Sequence, residues 1–350
     1  MEQKDSLLQK CLEHLKALPD IRATLNQEYV LDSGGSDGLL TIHSPLQSVN
    51  YSYAIVPNIT GTTAELVIAY LQRFEEKVGQ KLLLVSHYLP NPAIDRFLAK
   101  NVEFIDTAGN IYLNNPAAYV LIRGKPQPKE KLSSGSKITI TTLELIYILL
   151  KSPNLLEATY RELASSAGVA LGSVATTLKN LDKLGYLQRK REGGYRITNY
   201  IKLLERWEMG YAESLRPKLL LGTFTPASGR KFSEVAPNIV SLAKAEGFLI
   251  GGELGAQAAT SYLHSQRATL HVLDNHRLIA TKLKLKPSPQ GEIIFLQQFG
   301  TQNACTDLQG EFIADPLLIH AELLMENNDR LRETAERLFA KYIEDRQKNA

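Results

Sequence analysis

Ten residues between positions 173 and 196 carry the side chains with the most chemistry to offer. Ser173, Thr176, Thr177, Lys179 and Asn180 place short hydroxyls, an ammonium and an amide within eight positions. Such groups reach base edges and phosphate oxygens. Arg189, Lys190, Arg191, Tyr195 and Arg196 follow around the pair Gly193-Gly194. Four cations on so short a ribbon suit a run of phosphates. The chemistry implied is recognition of a polyanion rather than bond-making.

Those side chains need a scaffold, and the flanking sequence supplies one. Leu143, Ile146, Tyr147 and Leu150 recur at i, i+3, i+4, i+7, an apolar stripe on a first helix. A second helix opens at Thr159-Tyr160-Arg161-Glu162, where the Thr159 hydroxyl and the Glu162 carboxylate can cap each other's backbone N–H groups. It closes at Gly168, which tolerates the left-handed C-cap. A third helix starts near Gly172-Ser173 and buries Val174, Leu178 and Leu181, with Leu184 and Leu187 continuing into the core. This spacing sets the five polar residues on the other side. Gly193-Gly194 can supply the positive φ angles of a tight hairpin between two strand-like runs. The order of events predicts a winged helix-turn-helix over residues 138–199, seated on double-stranded DNA. Three-helix units also serve as protein–protein modules, so an interaction scaffold is a competing reading.

Charge placement agrees with a local polyanion site. The chain carries a net +3, yet residues 123–199 hold 13 Lys/Arg against 6 Asp/Glu, a net +7, leaving −4 elsewhere. A length of 350 residues implies about two or three domains. Residues 124–137 read as a linker of Pro, Ser and alternating charge. Only Cys11 and Cys305 occur. Cys11 shares an apolar helix face with Leu8, Leu12 and Leu15, which predicts a buried reduced thiol in a cytoplasmic protein. No Cys/His spacing suits zinc, and no metal or cofactor is expected. No leader-like N-terminus or apolar run of about 18 residues points to a membrane.

On either side of the module, strand and helix patterns alternate. Residues 1–123 begin with an amphipathic helix from Ser6 to Ala17 and a polar turn over Ser33-Gly34-Gly35-Ser36-Asp37-Gly38. Strands at 53–56, 82–85, 102–105, 111–113 and 119–122 follow, with helices at 63–75 and 92–100. This predicts a restriction-endonuclease-like α/β sandwich. Such nucleases need acids and a lysine on adjoining strands to hold a metal and orient water. Leu82-Leu83-Leu84-Val85-Ser86-His87-Tyr88 offers neither, and Asp106 in Asp106-Thr107-Ala108-Gly109-Asn110 reads as a turn residue bonding its own backbone. The fold is therefore expected to be catalytically degenerate.

Residues 200–350 read as a helical connector, with Tyr200, Leu203, Leu204, Trp207 and Tyr211 on one stripe, followed by a C-terminal α/β domain. That stripe could cover the winged helix or a second copy of the chain. Gly251-Gly252-Glu253 and the strand Thr269-Leu270-His271-Val272-Leu273-Asp274 have the order of a nucleotidyltransferase's phosphate turn and magnesium strand. Thr269 and His271 stand where acids are wanted, so this domain too is expected to be degenerate. An enzyme that uses the winged helix only for targeting, a nuclease or nucleotidyltransferase, remains the alternative. Its test residues are Asp106 and Glu253.

Several landmarks together resemble one family. They are Asp106-Thr107-Ala108-Gly109-Asn110 before Tyr112-Leu113, the winged helix after a polar linker, Leu204-Glu205-Arg206-Trp207, and Leu215-Arg216-Pro217-Lys218-Leu219-Leu220-Leu221-Gly222. Gly251-Gly252-Glu253 and Asp315-Pro316-Leu317-Leu318 complete the set. From about Tyr53 to Tyr342 the chain resembles the AbiEi-type antitoxins of type IV toxin–antitoxin systems, which act in phage abortive infection. The resemblance implies a non-enzymatic regulator that represses its own operon. It also implies a functional pairing with a nucleotidyltransferase-like toxin, without necessarily binding it, and a homodimer is compatible with it. Most relatives carry the winged helix at the N-terminus, whereas here it is central.

Overall fold

The structure is a computed structural model that describes residues 2–26, 36–129, 138–300 and 312–348. The chain divides into two compact units, Met1–Lys137 and Ile138–Ala350. Part of the expected linker (130–137), most of the glycine-rich turn's first half (33–35) and Cys305 lie outside the described residues.

The first unit runs α1 (Glu2–Lys16), β1 (Arg22–Asn26), β2 (Gly38–His43), β3 (Ser48–Ile55), α2 (Ala64–Val78), β4 (Leu82–Ser86), α3 (Asn91–Ala99), β5 (Phe104–Asp106), β6 (Ile111–Asn114) and β7 (Tyr119–Ile122). Its seven strands lie in sequence order, with β3, β4 and β5 parallel and the flanking pairs antiparallel. All five residues of β4 are buried, as a central parallel strand covered on both faces requires. Leu83 and Val85 join Leu8, Cys11, Leu12 and Leu15 of α1 in one core. The alternating residues Leu82 and Leu84 point to the opposite face. Strands β1 and β2 were not legible in the sequence, because β1 alternates over only five residues with none buried and β2 buries a contiguous run, Leu40–Ile42, rather than alternate positions.

The second unit opens with α4 (Ile140–Lys151), α5 (Tyr160–Ala167), α6 (Leu171–Lys183), β8 (Leu187–Arg189) and β9 (Tyr195–Ile197), the last two forming a hairpin. Then come α7 (Tyr200–Gly210), a π-helical turn (Tyr211–Leu215), α8 (Arg216–Leu219), β10 (Leu220–Pro226), α9 (Phe232–Glu246), β11 (Leu249–Gly251) and α10 (Gly252–Thr260). After β12 (Ala268–Val272), α11 (His276–Lys282), β13 (Leu285–Pro287) and β14 (Ile293–Gln297), the unit closes with α12 (Pro316–Leu324), α13 (Asp329–Leu338), a second π-helical turn (Phe339–Ile343) and α14 (Glu344–Lys348). Its five-stranded sheet has the order β11-β12-β14-β10-β13, with β12 and β14 parallel. Together the two units form a mixed α/β architecture with several sheets.

Helix α4 departs from the single stripe expected of it. No residue from Ile140 to Lys151 is exposed, and Leu145, Ile148 and Leu149 are buried along with Leu143, Ile146, Tyr147 and Leu150. The reason is α7. Its stripe of Tyr200, Leu203, Leu204, Trp207 and Tyr211 is buried and covers the face of α4 that the sequence leaves uncommitted. Tyr147 packs on Trp207 at 5.4 Å and on Phe299 at 5.1 Å between ring centroids. The Tyr200 hydroxyl donates to the Leu150 carbonyl at 2.7 Å.

Close approach of α4 and α7 needs Gly210, where an added Cβ would run into the Leu143 side chain. Gly210→Ala should therefore destabilise the unit by about 1–3 kcal/mol through overpacking, although alanine is the better helix former. Trp207, the single tryptophan, reports this directly by fluorescence during denaturant unfolding.

Candidate nucleic-acid interface

Local sequence rules build the three-helix unit. Thr159 accepts from the Glu162 N–H at 3.3 Å, and the Glu162 carboxylate accepts from the Thr159 N–H at 2.8 Å, a complete capping box. These bonds hold the Glu162 carboxyl below the ordinary carboxylate range. Gly168 ends α5 in the left-handed conformation, φ 68°. An added Cβ there would lie 3.3 Å from the Gly300 Cα, so the turn between α5 and α6 also rests on the chain beyond β14.

On α6, Val174, Leu178 and Leu181 are buried as expected, and Thr176, Lys179 and Asn180 are exposed. Thr177 is not on that face. It is 6% exposed, because a helix turns about 100° per residue and position 177 falls between Val174, Leu178 and Leu181. Ser173 is half-buried and donates its hydroxyl to the Ala170 carbonyl at 2.6 Å, inside the first turn. Leu184, expected in the core, is exposed because the helix ends there and Gly185 swings the chain away at φ 79°. Gly172, Ala175, Lys183 and the half-exposed Leu171 join the outer face. Gly172, Ala175 and Leu171 carry no polar side chain to mark them in the sequence as part of this face.

The hairpin is pinned by Leu187 and Ile197, both buried, and turned by Gly193 and Gly194 at φ 97° and 76°. Its outer residues Arg189, Lys190, Arg191 and Arg196 are exposed, and Tyr195 is half-buried. The Arg196 guanidinium donates to Gln188 Oε1 at 2.9 Å, which lays it along the ribbon. Lys190 lies 3.5 Å from Glu157, a loose surface pair. Thr176, Lys179, Asn180 and the hairpin cations are thus all exposed, on elements of one module in which α6 packs against β8. From Leu171 to Ile197 there are six Lys/Arg and two Asp/Glu.

The residues considered for catalysis are engaged internally. Asp106 is fully buried, and its carboxylate accepts from the Ala108 and Asn110 N–H groups at 2.9 Å each, from the Asn110 amide at 2.7 Å and from the Leu89 N–H at 2.9 Å. That is the turn role its sequence suggests. At the double glycine, the Gly252 N–H donates to the Glu322 carboxylate at 2.7 Å. Glu322 lies on α12, accepts from the Tyr211 hydroxyl at 2.9 Å and faces His271 at 3.1 Å. Added Cβ atoms on Gly251 and Gly252 would stand 2.8 Å from His271 Nε2 and 2.9 Å from Thr269 Oγ1. A side chain of the protein's own therefore fills the helix start where a phosphate would be cradled. Nearby, His320 bonds Glu208, and Asp315 receives Arg346 at 3.0 and 3.2 Å. The pairings of these buried carboxylates are not legible in the sequence, because their partners lie far along the chain.

Two segments of the chain match known families. Residues 196–344 match the family described as transcriptional regulator, AbiEi antitoxin, type IV TA system. The resemblance drawn from the sequence is borne out over that span. It contains the Leu204–Trp207, Leu215–Gly222, Gly251–Glu253 and Asp315–Leu318 landmarks, whereas the landmark at Asp106 lies upstream of it. Residues 135–204, which span the three helices and the hairpin, match the family of a Firmicute plasmid replication protein. No curated protein and no solved structure matches the chain. Among the described residues, no helix is long and apolar enough to cross a membrane.

Within the AbiEi-matching segment, Glu322 is a buried carboxylate held by three partners. Burial works against its ionisation, but the His271 ring, Arg216 and the Tyr211 hydroxyl hold its carboxyl below the ordinary range. A folded-state value below the unfolded one means the ion adds stability at neutral pH. That contribution fades as pH falls through the ordinary carboxylate range towards the depressed value. Glu322→Gln should cost about 3–5 kcal/mol at neutral pH, as for a broken buried pair. Thermal midpoints measured across acid pH should show the wild type losing a contribution that the variant lacks throughout.

Proposed function

We propose that this protein is a DNA-binding transcriptional regulator, the autorepressing antitoxin of a type IV toxin–antitoxin system. In this reading residues 138–199 are a winged helix. The third helix, α6, enters the major groove of an operator duplex, and the β8–β9 hairpin is the wing that follows the phosphates. Thr176 and Asn180 face the bases, while Lys179, Arg189, Lys190, Arg191 and Arg196 hold the backbone. Ser173 and Thr177 act within the protein.

The observation that supports the reading is that the outer residues of α6 and the cations of the hairpin packed beside it are exposed together, on a module built around the largely buried α4. The family match from residue 196 supports the regulatory and antitoxin part. The match to a plasmid replication protein over the module itself supports a role on DNA. The reading as a DNA-targeted enzyme loses support because Asp106 and the Gly252 N–H are occupied within the chain. The flanking α/β domains serve in this reading as degenerate nuclease-like and nucleotidyltransferase-like scaffolds. Opposition to a nucleotidyltransferase-like toxin, and pairing of two copies on a symmetric operator, are parts of the same proposal.

Fluorescence anisotropy of the whole protein on its own upstream duplex, against a scrambled duplex at several salt concentrations, tests it. Tight, sequence-preferring, salt-sensitive binding is expected. Arg189→Ala combined with Lys190→Ala should weaken binding to every sequence and reduce the slope of log K against log salt by about 2. An unchanged slope would remove the wing from the contact set.

A further inference from the structure

The outer face of α6 has a composition that restricts which bases it can read, an inference that rests on the winged-helix reading above. Two ridges share this face, Leu171–Ala175–Lys179 and Gly172–Thr176–Asn180, each stepping by four residues and so stacked along the helix. All six residues are exposed, Leu171 by 48%. Leaving a leucine in water at the first turn of a helix is unfavourable for an isolated protein. Charge complementarity identifies the occupant of the face, since six cations against two acids line α6 and the hairpin.

The side chains then discriminate among base pairs. Guanine is read by arginine or lysine and cytosine by a carboxylate. Leu171–Lys183 contains no Arg, Gln or Glu. Its one acid, Asp182, accepts from the Arg189 N–H at 3.2 Å and so belongs to the wing. Lys179 and Lys183 are flexible point charges, better at fixing position than at discriminating bases. What remains is matched to A·T pairs: an amide for the adenine edge and apolar groups for the thymine methyl. Gly172 adds room, because even a Cβ there would meet no protein atom within 4 Å.

We infer that this face reads A·T base pairs in the major groove, packing thymine methyl groups on Leu171 and Ala175 and hydrogen-bonding adenine through Asn180. Selection of binding sites by the full-length protein from a pool of random duplexes should enrich an A·T core. Replacing the contacted thymines by deoxyuridine removes only the methyl group and should weaken binding about fivefold. Leu171→Ser should narrow the difference between thymine and deoxyuridine duplexes, and Asn180→Ala should accept any base at the adenine position. Gly172→Leu should keep the unfolding midpoint and lose at least about tenfold in affinity. Enrichment of a G·C core, or equal binding of thymine and deoxyuridine duplexes by the wild type, overturns the inference while the winged helix stands. Salt-insensitive or undetectable binding to every duplex overturns the winged-helix reading and this inference with it.

Discussion

No residue of helix α4 is fully exposed, and seven of its twelve are buried; the second unit is organised around that constraint. A helix so largely apolar must be wrapped by other elements over most of its circumference. Here α5 and α6 cover part of it and α7 the rest, with Tyr147 held between Trp207 and Phe299. The three helices that present Thr176, Lys179 and Asn180 therefore share a core with residues well beyond 199. The placement of the α6 outer face follows from packing that extends to the end of β14.

Buried charge reinforces the same junction. Lys151, at the last turn of α4, lies 3.7 Å from Asp315, which also caps α12 and binds Arg346. Glu208 on α7 meets His320 on α12, and Glu322 two residues further on meets Tyr211 and His271. Each carboxylate joins elements that are distant in sequence. Such pairs contribute little net stability compared with apolar packing, but leaving one partner alone is costly. They act as registers: α12 seats against α7 and β12 in the single arrangement that satisfies all of them.

Much of the fold was legible because its signals are local. The capping box at Thr159 and Glu162, the left-handed Gly168 and the Gly193-Gly194 turn depend on neighbours within a few residues, and each stands where its chemistry predicts. The all-buried run at β4 was equally clear. Strands β1, β2, β11 and β13 were not, because strands this short, whether exposed like β1 or buried like β11, exist through their partners. On the candidate interface the polar cluster of α6 was visible as composition. Its division into outward and inward residues was not.

The sequence by itself determined which segments become helix or strand where capping, glycine and apolar periodicity agree. It also determined that a polar helix and a basic hairpin follow one another. Those outcomes need only interactions a few residues apart. The tertiary structure alone decided that Thr177 turns inward and Leu171 outward, because burial depends on which neighbour covers which arc of the helix. It alone decided that Glu322 fills the start of the helix after Gly251. Seventy positions separate that carboxylate from the N–H it accepts, and only the folded packing of α12 brings them together.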